Sequence, residues 1–336
     1  MVKPFGNRAV LERLLWEAKH ATPAHAYLFE GAEGVGKRET AYYFAAALLC
    51  SSRKEPPCGI CENCILSGAG NNPDLKRFML RDITTKKSIG AEEIRQIISD
   101  VSIKPFRSER KIYIIEDADA LTPQAQNAML KILEEPPSYV VFILCTTNVE
   151  QILPTVQSRS RLVRFLPKNA KEMRSYVMQK YPYMEDKLDF IVAFSAGIDK
   201  RADMLCKDMG LFSLRLEVLD DLAAMLAGRD ELMPFRIFAK LDEYRKQKDE
   251  NDRVSLYLDF MVLCLSDMVH LKERAAASLV NADILPKIQH GCDLAGTQRI
   301  VYAADRVLLA QQMLKRYVAF KPAVLSMLFD IFYCEK

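Results

Sequence analysis

One stretch constrains this chain more than any other: Ala26-Tyr27-Leu28-Phe29-Glu30 followed by Gly31-Ala32-Glu33-Gly34-Val35-Gly36-Lys37-Arg38. The apolar, aromatic-rich run reads as a buried strand, and the alanine-rich run from Lys37 to Cys50 reads as a helix. The loop between them carries Gly31, Gly34, Gly36 and Lys37, and matches a phosphate-binding P-loop at every position but the last. There, backbone N–H groups and the N-terminal end of the helix dipole converge on one point suited to phosphate oxygens, with Lys37 adding positive charge. A strand feeding such a loop and then a helix calls for a parallel α/β sheet.

The last position should be Ser or Thr, whose hydroxyl holds the magnesium ion that bridges the phosphates, but it is Arg38. A guanidinium cannot ligate a cation. The nearest hydroxyl, Thr40, lies two residues further along and on another helix face. Two readings stay open: a retired loop kept as a structural turn, with ATP bound weakly or not at all, or a working ATPase in which Lys37, Glu116 and Asp117 act despite Arg38.

Nine cysteines are present, and Cys50, Cys58, Cys61 and Cys64 cluster while the other five are scattered singly in apolar or helical contexts. Four thiolates at short spacing make the closed shell of a structural tetrahedral Zn2+ site rather than a disulfide framework, with an iron–sulfur cluster as the chemical rival. Ser51 to Pro57 has little apolar content, so metal binding is expected to supply that segment's folding energy. A nucleic-acid-binding zinc module is disfavoured, because the insertion offers only Arg53 and Lys54 as cations and no aromatic ring for stacking on bases.

Lys and Arg number 47 against 44 Asp and Glu, and this net charge of +3 is too small for a whole-chain nucleic-acid binder. Any DNA contact is expected from a local patch, for which Lys86, Lys87, Lys104 and Arg107 are candidates. Residues 1–7 lack a signal-like apolar core, and no stretch approaches about 18 uninterrupted apolar residues. The expectation is a soluble, cytoplasmic chain with no membrane role.

Strand-like runs at Ala26–Glu30, Lys76–Leu80, Lys111–Glu116, Val140–Cys145 and Leu162–Phe165 alternate with helical patterns at Lys37–Cys50, Ala91–Val101 and Pro123–Glu135. Pro136 and Pro137 end the last of these. After Pro167 strand signals cease: Lys168–Lys207 reads as short helices, and Met209–Lys336 as longer amphipathic ones. This divides the chain into an α/β domain (1–166), a small helical domain (167–208) and an all-helical domain (209–336).

From His25-Ala26-Tyr27-Leu28-Phe29 to Phe165 the chain resembles the bacterial clamp-loader subunits, the delta-prime and gamma/tau branch of the AAA+ family. The resemblance is carried by the P-loop with the four-cysteine insertion, Asp117-Ala118-Asp119 before a helix, Leu133-Glu134-Glu135-Pro136-Pro137, and Leu153-Pro154-Thr155 ahead of Ser158-Arg159-Ser160. It implies a RecA-like AAA+ domain with a zinc-binding insertion, a helical lid and a helical collar that joins sister subunits. Working AAA+ ATPases end the second motif strand in Asp-Glu. Here the order is Glu116-Asp117, which displaces each carboxylate by one methylene, a scale on which catalysis depends.

The resemblance makes Arg159 an arginine finger reaching the neighbouring subunit's ATP, Thr147 part of the sensor 1 loop, and Arg201 the sensor 2 arginine. Ser160 stands where the family's Ser-Arg-Cys motif has cysteine, a change expected to matter little. The damaged nucleotide site, and Asn72-Pro73-Asp74 in place of a His-Pro-Asp motif, favour the delta-prime branch over gamma/tau, as does the chain's length, which matches three domains without tau's additional ones. The implied partners are gamma/tau and delta subunits, a sliding clamp, and primer–template DNA met through the complex.

Overall fold

The computed structural model describes residues 2–20, 22–52, 54–80, 88–247, 252–273, 279–316 and 318–334. Arg53, Lys86 and Lys87 lie outside the described residues. The chain forms two compact units: Met1–Tyr176 with Ala196–Lys200, and Val177–Ser195 with Arg201–Lys336.

The first unit is built on five parallel strands, β1 (Ala26–Glu30), β2 (Leu75–Phe78), β3 (Lys111–Ile115), β4 (Val140–Thr146) and β5 (Arg161–Arg164), in the order β2-β3-β4-β1-β5. Every residue of β3 and β4 is buried, as their unbroken apolar runs require, whereas β2 and β5 are half-exposed edges. Around the sheet pack α1 (Arg8–Lys19), α2 (Lys37–Leu49), α3 (Glu62–Gly68), α4 (Ala91–Val101), α5 (Pro123–Glu134) and α6 (Pro154–Gln157). Thr122 caps α5 by accepting the N–H of Ala125, and Pro123 fills the first turn, where a missing N–H costs nothing.

Observed boundaries stay close to the expected ones. The main shift is β2, which ends at Phe78 because the N–H of Leu80 turns away to the Asp117 carboxylate at 3.0 Å. The pattern reading passed over α1, α3 and α6.

Asn72-Pro73-Asp74 acts as a clip. The Asn72 amide donates to the carbonyl of Asn63 (3.2 Å) and the hydroxyl of Ser67 (3.0 Å), both on α3. The Asp74 carboxylate accepts the N–H groups of Phe106, Arg107 and Ser108 at 2.6, 2.8 and 2.8 Å. Burial pushes the Asp74 carboxyl up, but those donors more than reverse the effect and hold it below its ordinary value.

The second unit is helical. α7 (Ala170–Lys180) and α9 (Asp199–Lys207) each begin in the first unit and continue into the second, which also holds α8 (Leu188–Ser195), α10 (Gly210–Ala227), α11 (Met233–Lys246), α12 (Arg253–Lys272), α13 (Leu285–Leu294), α14 (Thr297–Lys315) and α15 (Phe320–Tyr333). Among the described residues no strand follows Arg164. By length and composition α12 could cross a membrane, but here Tyr257, Phe260, Met261, Cys264, Leu265 and Met268 make it the buried centre of the unit. Buried polar groups knit the helices together. Asp221 takes Tyr257 Oη at 2.5 Å and Lys240 Nζ at 2.6 Å, and Arg299 donates to the carbonyls of Leu226, Ile331 and Phe332 near two helix C-termini.

Candidate functional site

Backbone geometry explains the loop's glycines. At Gly31 a Cβ would come within 2.6 Å of the Phe165 carbonyl oxygen, and at Gly34, whose φ is +76°, within 2.4 Å of Lys200 Cβ. The loop therefore has the conformation its pattern calls for, yet its charged side chains are turned to other uses. Lys37, 6 % exposed, folds back so that its ammonium donates to the carbonyls of Gly31 (2.5 Å) and Ala32 (2.9 Å). Burial pushes that ammonium below its ordinary pKa.

Arg38 reaches across to the end of β3. Its Nη2 lies 2.7 Å from Asp117 Oδ1 and its Nε 3.3 Å from Glu116 Oε2. Glu116, buried, also accepts the Tyr42 hydroxyl and lies 3.8 Å from Arg77 Nε. The cation facing the two strand-end carboxylates is thus a guanidinium, which never loses its charge. The Thr40 hydroxyl, on a residue only 4 % exposed, is turned back along its own helix, donating to the Gly36 carbonyl at 2.8 Å.

Thr147 donates its N–H (3.0 Å) and its hydroxyl to Asp119 Oδ2, which ties the loop after β4 to the turn after β3. The residue from α9 that meets the P-loop is Lys200, through its N–H to the Gly34 carbonyl (3.4 Å) and its Nζ to Glu33 (2.6 Å). Arg201 belongs to the second unit, where its guanidinium lies over the Phe194 ring at 5.9 Å. Tyr42 and Arg77 escape a motif reading because each sits outside the motifs, whereas Lys200 lies in the sensor 2 stretch, where the resemblance points to its neighbour Arg201.

At the far side of the sheet, three arginines follow α6. Arg161 pairs at 2.7 Å with Glu17, a carboxylate only 4 % exposed that also accepts the Tyr27 hydroxyl. Arg164 pairs with Glu30, its neighbour across the β1–β5 ladder, at 3.2 Å. Arg159 pairs at 2.7 Å with Glu134, whose side chain is 49 % exposed, and donates to the Thr155 carbonyl at 2.9 Å. Arg159, Arg161, Glu134, His25 and Ser160 line an open concavity. Two buried polar atoms in it, His25 Nε2 and Ser160 Oγ, have no hydrogen-bond partner.

Cys50 follows α2, Cys58 lies in the loop, Cys61 caps the N-terminus of α3 and Cys64 lies within it. Their four Sγ atoms lie within 4.8 Å of one another, with Cys50–Cys61 at 3.9 Å and Cys58–Cys64 at 4.0 Å. A tetrahedral ion with bonds of about 2.3 Å separates its sulfurs by about 3.8 Å, so the set fits one metal ion. The N–H groups of Ser52 and Cys58 donate to Cys50 Sγ and that of Cys61 to Cys58 Sγ, each at 3.4 Å, an arrangement that favours thiolates.

A family model described as DNA polymerase III, delta subunit, matches residues 6–169. The delta-prime subunit of DNA polymerase III from Bacillus subtilis is 29% identical over 304 residues, covering 87% of this chain and 85% of that protein. The delta-prime subunit from Pseudomonas aeruginosa is 36% identical over 46% of this chain and 45% of its own length. A gamma/tau subunit from Mycobacterium tuberculosis is 31% identical over 54% of this chain, which spans only 32% of that protein. Among solved structures, a gamma-subunit-related protein of DNA polymerase III from Thermotoga maritima shares the fold, with a TM-score of 0.50 and 20% identity over 96% of this chain and 98% of that one. These matches are to subunits of bacterial DNA polymerase III, delta-prime among them, over residues 6–169 by the family model and over 87% of the chain by the Bacillus subtilis relative, and the parallel sheet with its P-loop is in keeping with that similarity.

Proposed function

We propose that this chain is the stationary subunit of its clamp loader. In this reading it binds ATP weakly or not at all, hydrolyses none, and offers Arg159 to the ATP of the neighbouring subunit. The observation that carries the first part is Arg38, which bridges Glu116 and Asp117 and so occupies the carboxylates a magnesium ion would need. Lys37 supports it, since its ammonium is spent on the loop's own carbonyls. Gly31, Gly34 and Gly36 then serve as a structural turn, and Thr147 and Arg201, the sensor residues of the resemblance, have no nucleotide to sense. Arg159 stands next to groups without partners, which supports its reading as the catalytic residue supplied in trans.

Its partners in this proposal are gamma/tau and delta subunits, with the sliding clamp and primer–template DNA engaged through the complex in the bacterial cytoplasm. The first 166 residues are the AAA+ domain, residues 167–208 the lid and residues 209–336 the collar that joins sister subunits. Zn2+ is the ion that suits Cys50, Cys58, Cys61 and Cys64, closing a purely structural shell. The purified chain is expected to contain one equivalent of zinc by elemental analysis, and its chelation to unfold the insertion locally; a chain that lacks metal and keeps the insertion folded would falsify the assignment.

The rival reading, a gamma-type ATPase, draws on the complete glycine pattern and on Lys37. The two part on ATP binding and turnover by the isolated chain with magnesium, measured beside Lys37→Ala. The proposal expects both proteins to sit at the same background. Turnover by the native chain that the variant loses selects the rival.

A further inference from the structure

The arginine that this reading assigns to the neighbour's ATP is, in the isolated chain, held by its own. The Arg159 guanidinium has three partners: Glu134 Oε1 at 2.7 Å, the Thr155 carbonyl at 2.9 Å and Ser158 Oγ at 3.3 Å. Only the first is charged. Glu134 closes α5, and the backbones on either side of the pair are fixed to each other by two glutamines. Gln126 on α5 donates to the Gln151 carbonyl and accepts the N–H of Leu153, and Gln157 on α6 donates to the carbonyls of Val149 and Ile152. Arg159 can therefore leave Glu134 by side-chain rotation alone.

The Arg159 and Arg161 pairs differ in what their breaking would cost. Separating Arg161 from Glu17 leaves a carboxylate only 4 % exposed with the longer Arg13 pair, at 3.4 Å, as its remaining cation, a larger penalty. Separating Arg159 from Glu134 leaves two partly exposed groups that solvent can reach, a smaller one. A carboxylate and a phosphate oxygen present the same acceptor geometry to a guanidinium fork, so the two compete for it, and a vacated Glu134 repels an incoming phosphate.

We propose that Glu134 is a positioning residue: it keeps Arg159 folded onto its own chain and yields it when the phosphate of a nucleotide bound to the adjacent subunit takes its place. The proposal rests on the finger reading of Arg159.

Phenylglyoxal modification of the isolated full chain, read residue by residue by mass spectrometry, tests the holding step without any partner. Glu134→Gln should speed modification of Arg159 by about two- to fivefold, the range of an exposed ion pair, and leave Arg161 and Arg164 unchanged. Glu134→Asp should restore part of the protection. Equal rates at Arg159 in the native chain and in Glu134→Gln overturn the proposal.

In the reconstituted complex, Arg159→Ala tests the finger reading by itself, since an unchanged DNA-stimulated ATPase sinks that reading whatever the labelling shows. With the finger established, Glu134→Gln should raise kcat/KM for ATP by about two- to fivefold, and the double variant should fall to the Arg159→Ala rate. A Glu134→Gln complex at or below the native rate overturns the exchange.

Discussion

The P-loop region and the Arg159 face sit in the same unit and use the same residue types, but their polar groups are settled in opposite ways. Around the P-loop every named charge is answered from within: Lys37 by its own carbonyls, Arg38 by Glu116 and Asp117, Glu116 by Tyr42, Asp119 by Thr147. Around Arg159 the ion pair is partly exposed, and His25 Nε2 and Ser160 Oγ have no partner. Native proteins leave few buried polar atoms unsatisfied, so these two stand apart from the answered charges around the P-loop. The phosphate loop's charges are taken up by its own chain, while the Arg159 pair stays partly exposed.

The larger test of that contrast is Arg38→Thr. It restores the hydroxyl of the P-loop pattern and leaves Glu116 and Asp117 facing each other without their main cation. The variant should lose about 1–2 kcal/mol of stability, less than a fully buried pair would cost because Arg38 is half exposed. It should also be stabilised against thermal unfolding by magnesium, which the native chain should ignore. A variant as stable as the native chain and indifferent to magnesium would break the comparison, since Arg38 would then not be filling a metal's place.

A smaller effect is expected on the open face. Ser160 carries a buried hydroxyl with no acceptor, so Ser160→Ala should stabilise the isolated chain by about 1 kcal/mol in a denaturant melt. A cysteine, the residue of the resembled motif, suits such a site better because its thiol bears dry burial at little cost. The exchange thus has a structural price that the motif reading passed over. Destabilisation by Ser160→Ala would mean that the hydroxyl has a partner within the chain and that the face is less open than its geometry shows.

The sheet was legible because β1, β3 and β4 are apolar along nearly their whole length, with polar residues only at an end, Glu30, Lys111 and Thr146, as strands of a parallel sheet covered on both faces tend to be. α1 was not, because few of its residues are buried: Leu11, Leu14 and Glu17, the last an acid. α3 was hidden inside the cysteine spacing, whose signal is metal chemistry rather than helical period. The departure from the motif at Arg38 could be read from its type, since no guanidinium ligates a cation. Its bridge to Glu116 and Asp117 could not, since the residues it joins lie 78 and 79 positions away along the chain. Asn72 and Asp74 show the same limit: a motif noticed by resemblance turns out to be a clip, whose partners at Asn63, Ser67 and residues 106–108 only the folded chain brings near.

The central claim is that this chain acts on a neighbour's nucleotide and not on its own. Its most direct test is DNA-stimulated ATP hydrolysis by the reconstituted complex carrying either Arg159→Ala or Lys37→Ala in this subunit. The account predicts that Arg159→Ala abolishes turnover at the one site it serves, where a finger contributes on the order of a thousandfold or more, and that Lys37→Ala leaves the rate at the native level. A complex slowed by Lys37→Ala and untouched by Arg159→Ala would contradict it.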